Sequence, residues 1–157
     1  MSDYTSYMSD YTSYINNILT KRGENIVKPA IMNGKELKGY FVSRCGSVWS
    51  DKRSPFTKLT PNTTGSPYPR CRMRIDNKTQ FVSVHRLVCE TYIEFPIPEG
   101  VTKEEWDQTP DVIKKLVKRL YHVHHIDHNP GNPHVSNLEW VTAKQNSQKY
   151  HEFVKSS

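Results

Sequence analysis

The chain has no run of about 18 consecutive apolar residues, so nothing in it predicts a helix able to span a bilayer. Its start, Met1-Ser2-Asp3-Tyr4, shows neither the basic stretch nor the apolar core of a secretory leader, and the expectation is a soluble, intracellular protein with no membrane partner. Three cysteines, Cys45, Cys71 and Cys89, are too few and too scattered for a disulfide framework or a cysteine-based zinc ribbon. Hydrophobic residues make up only 35% of the 157 residues, so the core is modest for one domain or a small domain with an appendage. What the chain does have is positive charge, 22 Lys and Arg against 16 Asp and Glu. The surplus is uneven: residues 1–90 hold 14 basic and 7 acidic side chains, residues 91–157 hold 8 and 9. A surplus confined to one part of the chain predicts either a surface facing a polyanion or simply a well-solvated one.

Residues 1–14 are an immediate duplication, MSDYTSY twice, too short for a solenoid unit, and disorder is expected through at least Tyr7. Ile15, Ile18 and Leu19 allow one or two helical turns over 15–20, and residues 21–34 give mixed signals. Over 37–84 the pattern is of short strands. Tyr40-Phe41-Val42 and Val48-Trp49 flank a hairpin turn at Arg44-Cys45-Gly46, and 61–69 is a loop by composition. Val84, Leu87, Val88, Thr91 and Tyr92 then follow helical spacing, predicting a helix over 84–93 that Pro96 and Pro98 end. Two further helix starts follow, a capping box at Thr102–Glu105 and a Thr109 cap before Pro110. The second opens an apolar face of Val112, Ile113, Leu116, Val117 and Leu120 on a surface helix.

Between the loop and the 84–93 helix lies an uninterrupted alternation, Arg70-Cys71-Arg72-Met73-Arg74-Ile75. A strand has period two, so Arg70, Arg72 and Arg74 share one face while Cys71, Met73 and Ile75 share the core-facing one. Asp76-Asn77-Lys78 supplies a turn and residues 79–84 return. A two-stranded ribbon is narrow enough to enter a major groove, so the three guanidinium groups are candidate DNA contacts. The plain alternative is a polar, solvated strand face.

The most informative stretch is 123–146, Val123-His124-His125-Ile126-Asp127-His128 through Asn137-Leu138-Glu139-Trp140 to Asn146. It reads as a strand over 121–126, an irregular loop over 127–136, a strand over 138–142 and a helix from 143. Paired histidines on the first strand face an asparagine that opens the second, and another asparagine sits on the first turn of the helix. This ββα pattern resembles the HNH, or ββα-metal, endonucleases, and most nearly their phage homing-endonuclease branch. The resemblance is close over 123–146 and looser over 39–93. It implies an α+β fold with a disordered or weakly helical start (1–20), a basic β-rich DNA-binding region (21–97), a helical insertion (98–121) and the nuclease unit (122–157). It also implies a monomeric, metal-dependent endonuclease acting on double-stranded DNA in the cytoplasm of a host cell, leaving 5′-phosphate and 3′-hydroxyl ends. His124 and Asn146 correspond to ligands of one divalent ion, Mg²⁺ or Mn²⁺, His125 to the general base, and Asn137 to the residue that organises the loop and orients that base. The chemistry is coherent: phosphodiester hydrolysis needs a deprotonated water and positive charge on the leaving oxygen, and an imidazole with pKa near 6.5 suits the first task.

Three features depart from the family pattern. The closing residue is Asn146 rather than histidine, His128 stands where glycine is usual, and 98–121 is inserted ahead of the motif. No CxxC pairs flank the unit, which excludes a zinc-stapled subtype. Strict alternation also sends His124 and His125 to opposite faces, so the strand must end or bulge there. Two other readings compete: a DNA-binding module with an inactive nuclease site, and a structural zinc protein using His122 and His124 with His134 or His151. His85 reads as a packed or hydrogen-bonded histidine, Trp140 with Leu138 as core, and Asp127 as a solvated loop residue.

Overall fold

Tyr7, Tyr11, Ile15 and Leu19 recur every fourth residue, the spacing that lines up one face of a helix. The computed structural model describes residues 2–52 and 55–157, the side chains of 2–5 excepted, and its first element is a helix over that face, α1 (Ser2–Lys21). Disorder was the expectation through Tyr7. Met1 lies outside the described residues, but from Ser2 onward the chain is helical. The reason is tertiary. Ile15 and Leu19 are buried with Val27, Phe41 and Trp49, and the Tyr11 hydroxyl donates to Asp51 Oδ2 at 2.6 Å. Seven residues are close to two helical turns, so duplicating the heptapeptide keeps its tyrosines in register, and Tyr7 stacks on Tyr11 with ring centres 6.2 Å apart.

A four-stranded antiparallel sheet follows in sequence order: β1 (Val27–Met32), β2 (Lys35–Ser43), β3 (Val48–Ser50) and β4 (Thr57–Lys58). The β1–β2 register shifts between Pro29 and Ile31. There the amide of Ile31 donates to Thr91 Oγ1 at 3.0 Å, so the irregularity leaves no orphaned donor. The turn between β2 and β3 carries Gly46 at φ +92°, where an added Cβ would meet Pro133 Cγ at 2.6 Å. Only glycine allows that close approach.

The alternating arginine segment forms β5 (Arg70–Ile75), paired with β6 (Lys78–Ser83) in unbroken register from Arg70 opposite Ser83 to Ile75 opposite Lys78. Asp76 and Asn77 take φ +49° and +63°, the two positive values a two-residue hairpin turn needs; Lys78 belongs to the strand rather than the turn. The chain passes directly into α2 (Val84–Tyr92), whose Val84, Leu87, Val88 and Cys89 are buried. This helix is the hub of the main core, where Ala30, Val42, Cys71, Met73 and Leu138 join it.

Next come α3 (Lys103–Gln108) and α4 (Asp111–Lys118). The Thr102–Glu105 capping box forms as the sequence predicts. Thr109 does not cap α4: its hydroxyl donates to the Glu105 carbonyl at 2.7 Å, closing α3, and Pro110 takes the cap position. Val112, Ile113 and Leu116 of α4 remain exposed, and the helix is tethered through Lys118 over the Phe95 ring and Lys114 over Trp106. The chain ends in β7 (Tyr121–His125), a one-turn 3₁₀ segment (Val135–Asn137), β8 (Leu138–Thr142) and α5 (Ala143–Ser156). Thr142 and Gln145 form a capping box that starts α5 immediately after β8. Every strand pair among the described residues is antiparallel, and the fold is α+β. No helix among them is long and apolar enough to cross a membrane.

Candidate functional site

The loop between β7 and β8 is built around one side chain. Asn137 is buried, and its Oδ1 accepts from the Asp127 amide at 2.9 Å. Its Nδ2 donates to Asp127 Oδ1 and to the Asn132 carbonyl, each at 2.9 Å. Asp127 in turn accepts from the Asn129 amide (2.8 Å) and Asn132 Nδ2 (2.9 Å). These bonds hold its carboxyl below the usual range, the Asn132 amide contributing most. Asp127 is thus an organiser of the loop as much as a solvated residue. The loop is anchored from outside by the Val135 amide, which donates to the Arg44 carbonyl at 2.8 Å, and by Pro133 against Gly46.

The two histidines before this loop are 8% and 6% exposed, His124 and His125 respectively. The alternation problem is met by ending the strand. β7 stops at His125, whose carbonyl accepts from the His128 amide at 2.9 Å, and both imidazoles line one cleft of about 830 Å³. Each ring has its own neighbours. His125 stands 5.0 Å from the His85 ring and 5.7 Å from Tyr68, and its Nε2 is buried with no hydrogen-bond partner. His124 lies within hydrogen-bonding reach of the Asn146 side chain on the first turn of α5. Its Nε2 is 3.9 Å from Glu139 Oε1, the residue opposite it in the β7–β8 register, and Lys149 holds that carboxylate at 3.0 Å.

Burial favours the neutral form of these imidazoles. His85 is pushed down to about 4, chiefly by burial, with the nearby His125 and Arg86 adding to it. Burial also lowers His125, against a smaller opposing pull from Asp127. The same is true of His124, where burial outweighs the neighbouring Glu139. An unprotonated imidazole with a free, buried nitrogen facing a cleft is able to accept a proton.

An imidazole and an amide within reach of each other, with a carboxylate nearby, is a donor set fit for a divalent cation. Among the described residues no group of three or more His, Cys, Asp or Glu stands in metal-ligating arrangement. No three of the histidines of the zinc reading form such a group among the described residues. His134 Nδ1 accepts from the Ser136 amide at 3.1 Å, and His151 packs on Tyr150.

Of the three arginines, Arg72 and Arg74 are exposed opposite buried Cys71 and Met73, as alternation requires. Arg70 is more constrained: its guanidinium donates to the Thr64 carbonyl at 3.2 Å and lies over the Phe81 ring. Sequence reasoning did not bring His85 and Tyr68 to His125, nor His128 to His124. These contacts join segments 40 or more residues apart, or depend on a loop's backbone twist, and carry no local periodic signal.

A hairpin closed by a helix, with two imidazoles at the strand end and an amide on the helix's first turn, is a ββα unit of nuclease type. The comparisons agree with it. The family model described as HNH endonuclease matches residues 82–148. An uncharacterized HNH endonuclease of Acanthamoeba polyphaga mimivirus is 30% identical over 107 residues, 68% of this chain and 26% of that protein. Among solved structures, the HNH homing endonuclease I-HmuI, described for DNA binding and cleavage, matches with TM-score 0.53 and 27% identity over 75% of this chain and 57% of that one. Together these findings support an HNH family protein, with the family's pattern lying over residues 82–148. It spans about a quarter of the length of the mimivirus relative.

Proposed function

We propose that the chain is a homing-type DNA endonuclease that hydrolyses a phosphodiester of double-stranded DNA with a histidine base and one divalent ion, Mg²⁺ or Mn²⁺. The observation that carries this reading is His125, whose Nε2 is buried and unbonded in the same cleft as His124 and Asn146, and whose pKa burial lowers. His125 takes the proton of the attacking water, and the Asn137 network fixes the strand end from which it projects. His85 and Tyr68 pack around its ring and limit its rotation. His124 and Asn146 are the residues that would hold the ion. When bound, that ion supplies positive charge to the phosphate and the leaving oxygen. Arg72 and Arg74 contact the duplex backbone.

A supercoiled-plasmid assay with Mg²⁺, Mn²⁺ or EDTA tests this. Relaxation or linearisation with either ion and none with EDTA is expected. In His125→Ala the rate should fall about 10²–10⁴-fold at unchanged DNA affinity. A band shift without cleavage under all three conditions would mean an inactive DNA-binding module. Normal cleavage by His125→Ala would remove the histidine from the mechanism.

A further inference from the structure

His128 sits at φ +56°, the left-handed region that favours glycine over residues with side chains. The loop's hydrogen bonding does not require an imidazole there, because the His128 amide alone makes the backbone bond to His125. The imidazole instead stands in the cleft, between His124, nearly perpendicular to it, and Phe153, nearly parallel at 4.0 Å. Its ring centre is 4.8 Å from that of His124, with 76° between the planes. An imidazole nitrogen binds a first-row ion at about 2.0–2.1 Å, which puts the ring centre about 3.2 Å from the ion. Two rings on one ion then have centres about 4.5 Å apart at a right angle and about 5.2 Å at the tetrahedral angle. The observed separation falls between these values. Edge-to-face packing also brings rings to this distance, but it gives no reason to keep a histidine in a backbone conformation suited to glycine.

We propose that His128 is a third protein ligand, so that His124, His128 and Asn146 form a two-imidazole, one-amide site that binds a nitrogen-loving divalent ion such as Co²⁺ or Ni²⁺ more tightly than the Mg²⁺ with which cleavage is also expected. The proposal rests on the ligand pair assigned above and adds selectivity to it. Imidazole suits the later first-row ions, whereas Mg²⁺ prefers oxygen and keeps its waters.

The test is Co²⁺ and Mg²⁺ binding to the full chain by calorimetry, with the visible Co²⁺ absorption as a coordination readout. The variants are His128→Gly, which suits the left-handed backbone, His128→Asn, which tolerates it without an imidazole, and His124→Ala. Loss of Co²⁺ affinity by about tenfold or more in both His128 variants is expected, with a changed absorption and Mg²⁺ affinity within about threefold. Unchanged Co²⁺ affinity in both, with His124→Ala defective, would overturn this proposal alone, and so would an equal loss for both ions. Unchanged Co²⁺ affinity in His124→Ala would overturn the ligand pair itself.

Discussion

Replacing Asn137 by alanine removes three side-chain hydrogen bonds at once: one accepted from the Asp127 amide and two donated, to Asp127 Oδ1 and the Asn132 carbonyl. At about 1 kcal/mol net for each bond, the direct loss is about 3 kcal/mol. Asp127 is exposed, so water recovers part of its share, and the expected destabilisation settles at about 2 kcal/mol. The backbone bond from the Ile126 amide to the Asn137 carbonyl, 2.8 Å, survives the change, so β7 and β8 should stay paired. Urea unfolding at pH 7 should therefore show a lower midpoint with an unchanged slope, and thermal unfolding a melting temperature about 4–8 °C lower for a chain of this size. Amide exchange should quicken over 127–136 and not in the core strands. Asn137→Asp separates donor from acceptor. It keeps the oxygen that receives the Asp127 amide but sets a second carboxylate against Asp127, so its defect should be larger at pH 7 than at pH 4. A stability loss below about 0.5 kcal/mol in Asn137→Ala, within the ordinary range of surface substitutions, would refute the idea that this side chain holds the loop.

Replacing Arg72 and Arg74 by glutamine should flatten the dependence of log K on log salt by about 1.8, at about 0.9 per phosphate contact, measured by fluorescence anisotropy; an unchanged slope would place this strand face in solvent. Acidification should destabilise the fold between pH 6.5 and 4. His85 has a folded pKa of about 4, below the ordinary 6.5, so the unfolded chain binds more protons in that window, and stability falls as pH drops through it and levels off below. His85→Gln should shrink the stability difference between pH 7.5 and 4.5 by about 2 kcal/mol in urea titrations, and an undiminished difference would move the titration elsewhere.

The ββα unit was legible because its signals are local. The Asn, Pro and Gly residues of 129–133 break the periodicity between two alternating runs, and Thr142 with Gln145 marks the helix start, so the reading of 138–142 as strand and 143 onward as helix matches β8 and α5. The first strand stops one residue earlier than read, at His125, and that ending is what lets both histidines face one cleft. Beyond the helical turns read at 15–20, residues 1–34 were not legible, since α1 is held by Ile15 and Leu19 against Phe41 and Trp49, and β1 contains Pro29 beside a register shift that Thr91 repairs. Both depend on partners distant in sequence. The helix α4 lies on the surface as its pattern reads, yet the fold leaves Val112, Ile113, Leu116 and Leu120 of the periodic apolar face exposed.

The arginine hairpin and the cleft are joined without an intervening loop, and this has a mechanistic consequence. β5 begins at Arg70, two residues after Tyr68, and β6 ends at Ser83, two residues before His85. The amide of Val84 donates to the Pro69 carbonyl at 3.0 Å, closing the hairpin's open end, and the rings of Tyr68 and His85 flanking that end both lie against His125. The arginines therefore run outward from the cleft in steps of about 6.6 Å, Arg70 at its edge and Arg74 nearest the far turn. A phosphate held by Arg74 would bear on binding alone. Arg70, clamped by Thr64 and Phe81, is fixed beside the residues that pack the proposed base. Arg74→Gln should accordingly weaken DNA binding while leaving the single-turnover cleavage rate at saturating DNA within about twofold, whereas Arg70→Gln should lower that rate as well. If the two variants lose affinity and rate in the same proportion, the hairpin acts as a uniform basic patch, and its junction with the cleft does not position the base.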